Sequence, residues 1–145
     1  QYESTTPNAV RDHGEEPKFL KVETPARLLG SITALVRSEL NEIDSGTLAV
    51  ITPEQYVKPL SESFKASSIE HGLVDDGALT SQVTIVPVDL VKGLEIDIAI
   101  VIEPSEILHS ATNGERSLYV ALTRATRRLL ILHADDLPEV LKASE

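Results

Sequence analysis

The chain has 145 residues, with 13 basic against 23 acidic side chains and a formal net charge of −10. Hydrophobic residues make up 41% and charged residues 25%, ordinary proportions for one globular domain with a real core. The charge argues against a broadly basic nucleic-acid-binding surface, the absence of cysteine excludes disulfides and thiolate metal sites, and no apolar run reaches the length of a membrane span.

No methionine is present, so we expect a piece of a longer chain. His13, His71, His109 and His133 are scattered without ligand spacing and read as structural or surface groups, so no metal site is expected. The five aromatics are too few for a base-stacking platform. No signal-peptide pattern opens the chain, which fits a cytoplasmic protein without a membrane partner.

Residues 1–17, "QYESTTPNAVRDHGEEP", are polar and read as an irregular lead-in or linker, with the domain proper over 18–145. "KFLKVE" is a short strand. Thr24 is a plausible N-cap with Pro25 at the first helical position, and Leu28, Leu29, Ile32, Leu35, Val36, Leu40 and Ile43 recur at a helical period. "DSG" stops that helix. "TLAVIT" (47–52) is a near-continuous apolar strand of the kind buried on both faces of a parallel sheet. A second helix is expected from about Pro53 to Ala66, followed by a loop over 67–81.

"QVTIVPV" (82–88) and "IDIAIVIEP" (96–104) are further strands, joined by "DLVKGLE". A loop then leads to "GERSLYVALTRATRR" (114–128). Its Leu118, Ala121, Leu122 and Ala125, continued by Leu129, share one side of a helix. "LLILHA" is the last strand, and "LPEVLKAS" opens a terminal helix. Five apolar strands alternating with helices predict an α/β domain with a mostly parallel sheet covered on both faces.

Four of the seven arginines fall between Arg116 and Arg128. On a helical wheel Arg116, Val120, Arg124, Arg127 and Arg128 lie opposite the apolar side. A solvated helix face would explain them. Anion recognition would also explain them, because the planar guanidinium fork suits phosphate oxygens. The second candidate is "VDLVKGLEID" (88–97), between two buried strands. Ligands of open α/β sheets bind at the carboxyl ends of strands. Gly93 lets the backbone turn or approach a ligand, Lys92 offers positive charge and Glu95 an acceptor for a hydroxyl. No G-x-x-x-x-G-K-[ST] phosphate loop occurs, so any nucleotide site is only partly supplied by this chain.

Taken in order, "VKGLEIDIAIVIEP" and "LYVALTRATRRLLILH" resemble motifs V and VI of UvrD/Rep-type superfamily 1 helicases, a likeness that extends over residues 82–141. "ILHADDLPEVL" and "NAVRDHGEEP" are most similar to the helicase IV/HelD-like branch, which includes RNA-polymerase-associated ATPases. The resemblance implies a C-terminal RecA-like domain, a three-layer sandwich with a sheet of about five strands. ATP and Mg²⁺ would lie between it and an N-terminal RecA-like domain of the same protein. Neither group would be held by this fragment alone, which would be inactive by itself.

By the same resemblance Arg124 is the arginine finger, Glu95 the ribose contact, and Gly93 with Lys92 part of the nucleotide-facing turn. Tyr119 and Thr123 position the arginine's helix. The stretch Asp89 to Val91 is where DNA contact would fall. There the chain departs from the family. Asp89 stands where many members carry a histidine that touches single-stranded DNA, and Pro87 stands where they carry a threonine. A carboxylate repels a phosphodiester, so the DNA-facing half of motif V is weakened while Gly93 and Glu95 are intact. Two alternatives follow. One is a domain that docks on a protein such as RNA polymerase, with little DNA unwinding. The other is an unrelated nucleotide-dependent α/β enzyme, which a fold lacking five parallel strands, or an Arg124 buried away from the sheet's ligand edge, would favour.

Overall fold

The computed structural model describes residues 16–43, 45–74, 77–110 and 113–142. The lead-in therefore lies outside the described residues except for Glu16 and Pro17, as do His13 and the end of the expected terminal helix.

Strand β1 (Lys18–Lys21) runs through a 3₁₀ turn at Pro25–Arg27 into helix α1 (Leu28–Glu42). Thr24 has the extended backbone of a cap and Pro25 follows it, but the Thr24 side chain makes no capping bond. Next come β2 (Leu48–Thr52), a 3₁₀ turn at Glu54–Tyr56, and α2 (Val57–Ala66). The segment expected as loop contains a two-residue strand, β3 (Gly72–Leu73). The remaining elements are β4 (Val83–Pro87), β5 (Ile96–Ile102), α3 (Pro104–Ser110), α4 (Gly114–Thr123), β6 (Ala125–His133) and α5 (Glu139–Lys142).

All six strands are parallel, in the order β1-β6-β5-β2-β4-β3. β2 is buried at every position, and Asp97 alone in β5 is not fully buried. Both strands lie inside the sheet with helices over each face, which is why neither run alternates. Leu48, Val50, Ile98, Ile100, Leu130 and Leu132 pack on one face against α1 and α2, through Leu28, Ile32, Val36, Leu60 and Phe64. Ala49, Ile51, Ala99, Val101, Leu129 and Ile131 pack on the other against Leu118, Ala121 and Leu122 of α4 and Leu141 of α5. The result is a three-layer α/β sandwich. No helix among the described residues is long and apolar enough to cross a membrane.

Two expectations are corrected. The helix predicted through Arg128 ends at Thr123, and β6 begins at Ala125. Leu118, Ala121, Leu122 and Ala125 fit a helical period, and Leu129 continued it by coincidence. Pairing with β5 and β1 needs a long neighbour, and that tertiary demand outweighs the local preference of "TRATRR". The expected loop after β5 contains α3, whose seven residues are too few to display a helical period.

The connection from β4 to β5 sets up the functional geometry. Pro87 is level with Thr52 at the carboxyl end of β2, whereas Leu48, at its amino end, is level with Ile98. Residues 88–95 therefore travel back along the sheet from one edge to the other. Val88, Val91 and Leu94 are buried against Ala49, Ile51 and Val86 and pin that path to the sheet face.

Candidate functional site

Glu95 and Arg124 meet at the amino ends of β5 and β6. They line one open pocket of about 530 Å³, together with Thr47, Leu94, Ile96, Asp97, Thr123 and Thr126. This is the edge opposite the carboxyl ends at which a site was expected. The crossing segment explains the reversal, because it delivers Lys92, Gly93 and Glu95 to the far end of the sheet.

Arg124 terminates α4. Its position beside the helix's last carbonyls suits a cation, since the negative end of the helix dipole lies there. Thr123 Oγ1 donates to the Tyr119 carbonyl at 2.9 Å and lies 3.3 Å from that of Val120, which closes the last turn. The Arg124 Nε–H is buried and has no hydrogen-bond partner among the described residues. A buried unpaired donor is costly, on the order of 1–3 kcal/mol, and among the described residues Arg128 Nε and His133 Nε2 are in the same position. Glu95 is exposed at the pocket's other side. Gly93 has φ +84°, and a Cβ built there meets nothing within 4 Å. Its role is thus to make the turn, which favours glycine, and the space beside it is open. Lys92 is exposed in the same turn, outside the pocket lining.

The other candidates separate. Asp89 is exposed near the carboxyl end of β4, whereas Val91 is 2% exposed and its side chain packs inward, so it offers no surface to a nucleic acid. Arg116 is exposed on α4. Arg127 and Arg128 belong to β6, not to a helix face. Arg127 Nη1 donates to the Ser45 carbonyl at 3.0 Å. Arg128 Nη1 lies 2.6 Å from Glu39 Oε1, an ion pair that ties β6 to α1.

Several polar groups were not anticipated. Asp97, Thr47 and Thr126 join the pocket through pairings some 50 residues apart for Thr47 and Asp97, and 29 for Thr126 and Asp97, which leave no local signature. At the opposite, carboxyl edge, Glu103, Glu106 and Asp135 bring carboxylate oxygens within 4.8 Å of one another, close enough for one cation to bridge. Glu103 is fully buried, with φ +47°, and accepts from the Ala134 and Asp135 amides. Burial raises its carboxyl above the ordinary value of 4.5, the two amides oppose this, and the charges of Asp135 and Glu106 add to it. Tyr56 and Gln55 donate to Glu106 at 2.7 and 2.6 Å, and burial with that contact pushes the Tyr56 hydroxyl upward.

The fold and pocket define a RecA-like α/β domain with a basic group presented at the amino edge of its sheet. A solved structure shares this fold, the C-terminal domain of a possible DNA helicase from Lactobacillus plantarum WCFS1. The match has a TM-score of 0.71 and 21% identity over 97% of this chain and 92% of that one. Neither a family model nor a curated protein matches the sequence.

Proposed function

We propose that this chain is the C-terminal motor domain of an ATP-dependent UvrD-like DNA helicase or translocase. One observation carries the proposal: Glu95 and Arg124, from separate motifs, line one pocket at the amino ends of β5 and β6. Guanidinium and pocket together suit a nucleoside triphosphate brought by an N-terminal RecA-like domain. Glu95 would accept from a ribose hydroxyl, with Lys92 and Gly93 in the adjoining turn. Arg124 would stabilise negative charge that develops on the transferring phosphoryl oxygens. Mg²⁺ would enter with the triphosphate and neutralise part of its charge, held by the other domain. The solved C-terminal domain of a possible DNA helicase, which has the same fold, supports the choice of class.

The test is ATP turnover by the full-length protein with Arg124→Ala. Loss of an arginine finger lowers turnover on the order of 10³-fold or more. Turnover near that of the parent overturns the assignment.

A second reading has its own support. The DNA-facing part of the motif begins at Asp89, near the same sheet edge that holds Glu103, Glu106 and Asp135. An acidic edge suits a basic protein surface better than a phosphodiester backbone. In this reading the domain docks a HelD-like ATPase on RNA polymerase with little unwinding. Salt-dependent DNA binding by the full-length protein separates the two, since a DNA motor gives a steep salt slope.

A further inference from the structure

We infer that Asp97 is a positioning residue for Arg124, acting through a clamp that joins β2, β5 and β6 at their amino ends. The inference rests on the proposed role of Arg124.

Asp97 sits two residues beyond Glu95, and Thr126 two residues beyond Arg124. Asp97 Oδ2 accepts from the Thr47 amide at 2.8 Å and lies 3.3 Å from Thr47 Oγ1, which in turn accepts from the Asp97 amide at 3.1 Å. The other carboxylate oxygen is 3.5 Å from Thr126 Oγ1, which also reaches the Ile96 carbonyl at 3.3 Å. This contact falls where the ladder is irregular. Ile96 is level with Ala125 but Ile98 with Arg128, so β6 carries one extra residue at Thr126–Arg127. Such bulges bend a strand and re-aim its side chains. Arg124 lies two residues before this one, with only Ala125 between, so what fixes the bulge bears on the exit angle of Arg124.

Gly46 makes the clamp sterically possible. Its φ is +116°, and a Cβ there would fall 2.8 Å from Asp97 Oδ2 and 2.9 Å from Arg127 Nη1. The Asp97 carboxylate already accepts from Thr47, just before β2, and approaches β6, and its charge would repel a phosphate. Its effect on chemistry therefore runs through the two strands it ties, not through contact with the nucleotide.

The test uses the full-length protein and its ATP turnover. Asp97→Ala should lower kcat on the order of 10- to 100-fold, the scale of a misplaced catalytic group, with little change in KM. Asp97→Asn keeps a carbonyl acceptor for the Thr47 amide and should recover most of that loss. In an Arg124→Ala background Asp97→Ala should change kcat by less than about twofold, because its route to the reaction is already gone. Thr126→Val, which removes a hydroxyl at nearly constant volume, should give a several-fold loss and serves if Asp97→Ala fails to fold. Equal losses in both backgrounds, a raised KM at unchanged kcat, or parental turnover in Thr126→Val would overturn the inference. Normal turnover of Arg124→Ala alone would instead remove the functional reading beneath it.

Discussion

Replacing Arg128 by alanine should destabilise the chain far more than replacing its neighbour Arg127, and the geometry sets the size. Arg128 Nη1 is 2.6 Å from Glu39 Oε1 and 3.7 Å from Glu42 Oε1. The side chains of Arg128 and Glu39 are 19% and 9% exposed, while that of Glu42 is 64% exposed. Water screens the Glu42 contact, so it contributes little. The Glu39 contact is mostly desolvated, and removing the arginine leaves a carboxylate with little access to water. Breaking a fully buried pair costs about 3–5 kcal/mol. The remaining solvent access of Arg128 lowers this to about 2–3 kcal/mol, a fall in Tm of roughly 5–10 °C for a chain of this size. Arg127→Ala loses one exposed hydrogen bond to Ser45 and should cost under about 1 kcal/mol. Urea unfolding followed by circular dichroism measures all three, with Arg128→Met/Glu39→Leu as the third. That double variant removes both charges and should recover most of the loss. Arg128→Ala within about 0.5 kcal/mol of the parent, or a double variant no better than the single, would refute a desolvated pair.

The Glu103 carboxyl is raised in the folded state, so its contribution to stability is fully present below its unfolded value near 4.5 and is lost as pH rises through the folded value. Glu103→Gln should therefore flatten this loss, and its stability relative to the parent should grow from pH 4.5 upward. A difference in urea midpoint that stays constant with pH would contradict the buried, acid-flanked carboxyl. Gly114→Ala should destabilise by about 1–3 kcal/mol or more, because the new Cβ would lie 2.0 Å from the Leu108 carbonyl oxygen and the backbone of α3 and α4 must separate. A thermal melt unchanged by this substitution would mean the two helices pack less closely than described.

The fold was legible where burial leaves a one-dimensional trace. "TLAVIT" and "IDIAIVIEP" are apolar without alternation because β2 and β5 are covered on both faces, and that pattern alone predicts a parallel sheet. Gly72–Leu73 and Pro104–Ser110 were missed because two and seven residues cannot display a period. The overlong helix at 114–128 failed for another reason. Ala125 and Leu129 satisfy a helical period and a strand's demand for apolar contact equally well, and the choice between them is made by β5, some 30 residues earlier in sequence.

The site divides along the same physical line. Lys92, Gly93, Glu95 and Arg124 could be named as candidates because each sits in a short contiguous motif, and of them Glu95 and Arg124 line the pocket. Asp97 with Thr47 and Thr126 was not, since its partners are joined only by the sheet. The arginine cluster shows why charge density was a poor guide by itself. Its four members lie in four environments. Arg116 is solvated on α4, Arg127 donates to a loop carbonyl, and Arg128 is consumed by Glu39. Arg124 differs from the other three in its place: it ends α4 and lines the pocket with Glu95, whereas its buried Nε–H, without a hydrogen-bond partner, has a counterpart in Arg128. Three of the four charges are thus explained within the domain. The fourth, Arg124, lines the pocket with Glu95, and the proposal that it meets a phosphate there is what the turnover of Arg124→Ala tests.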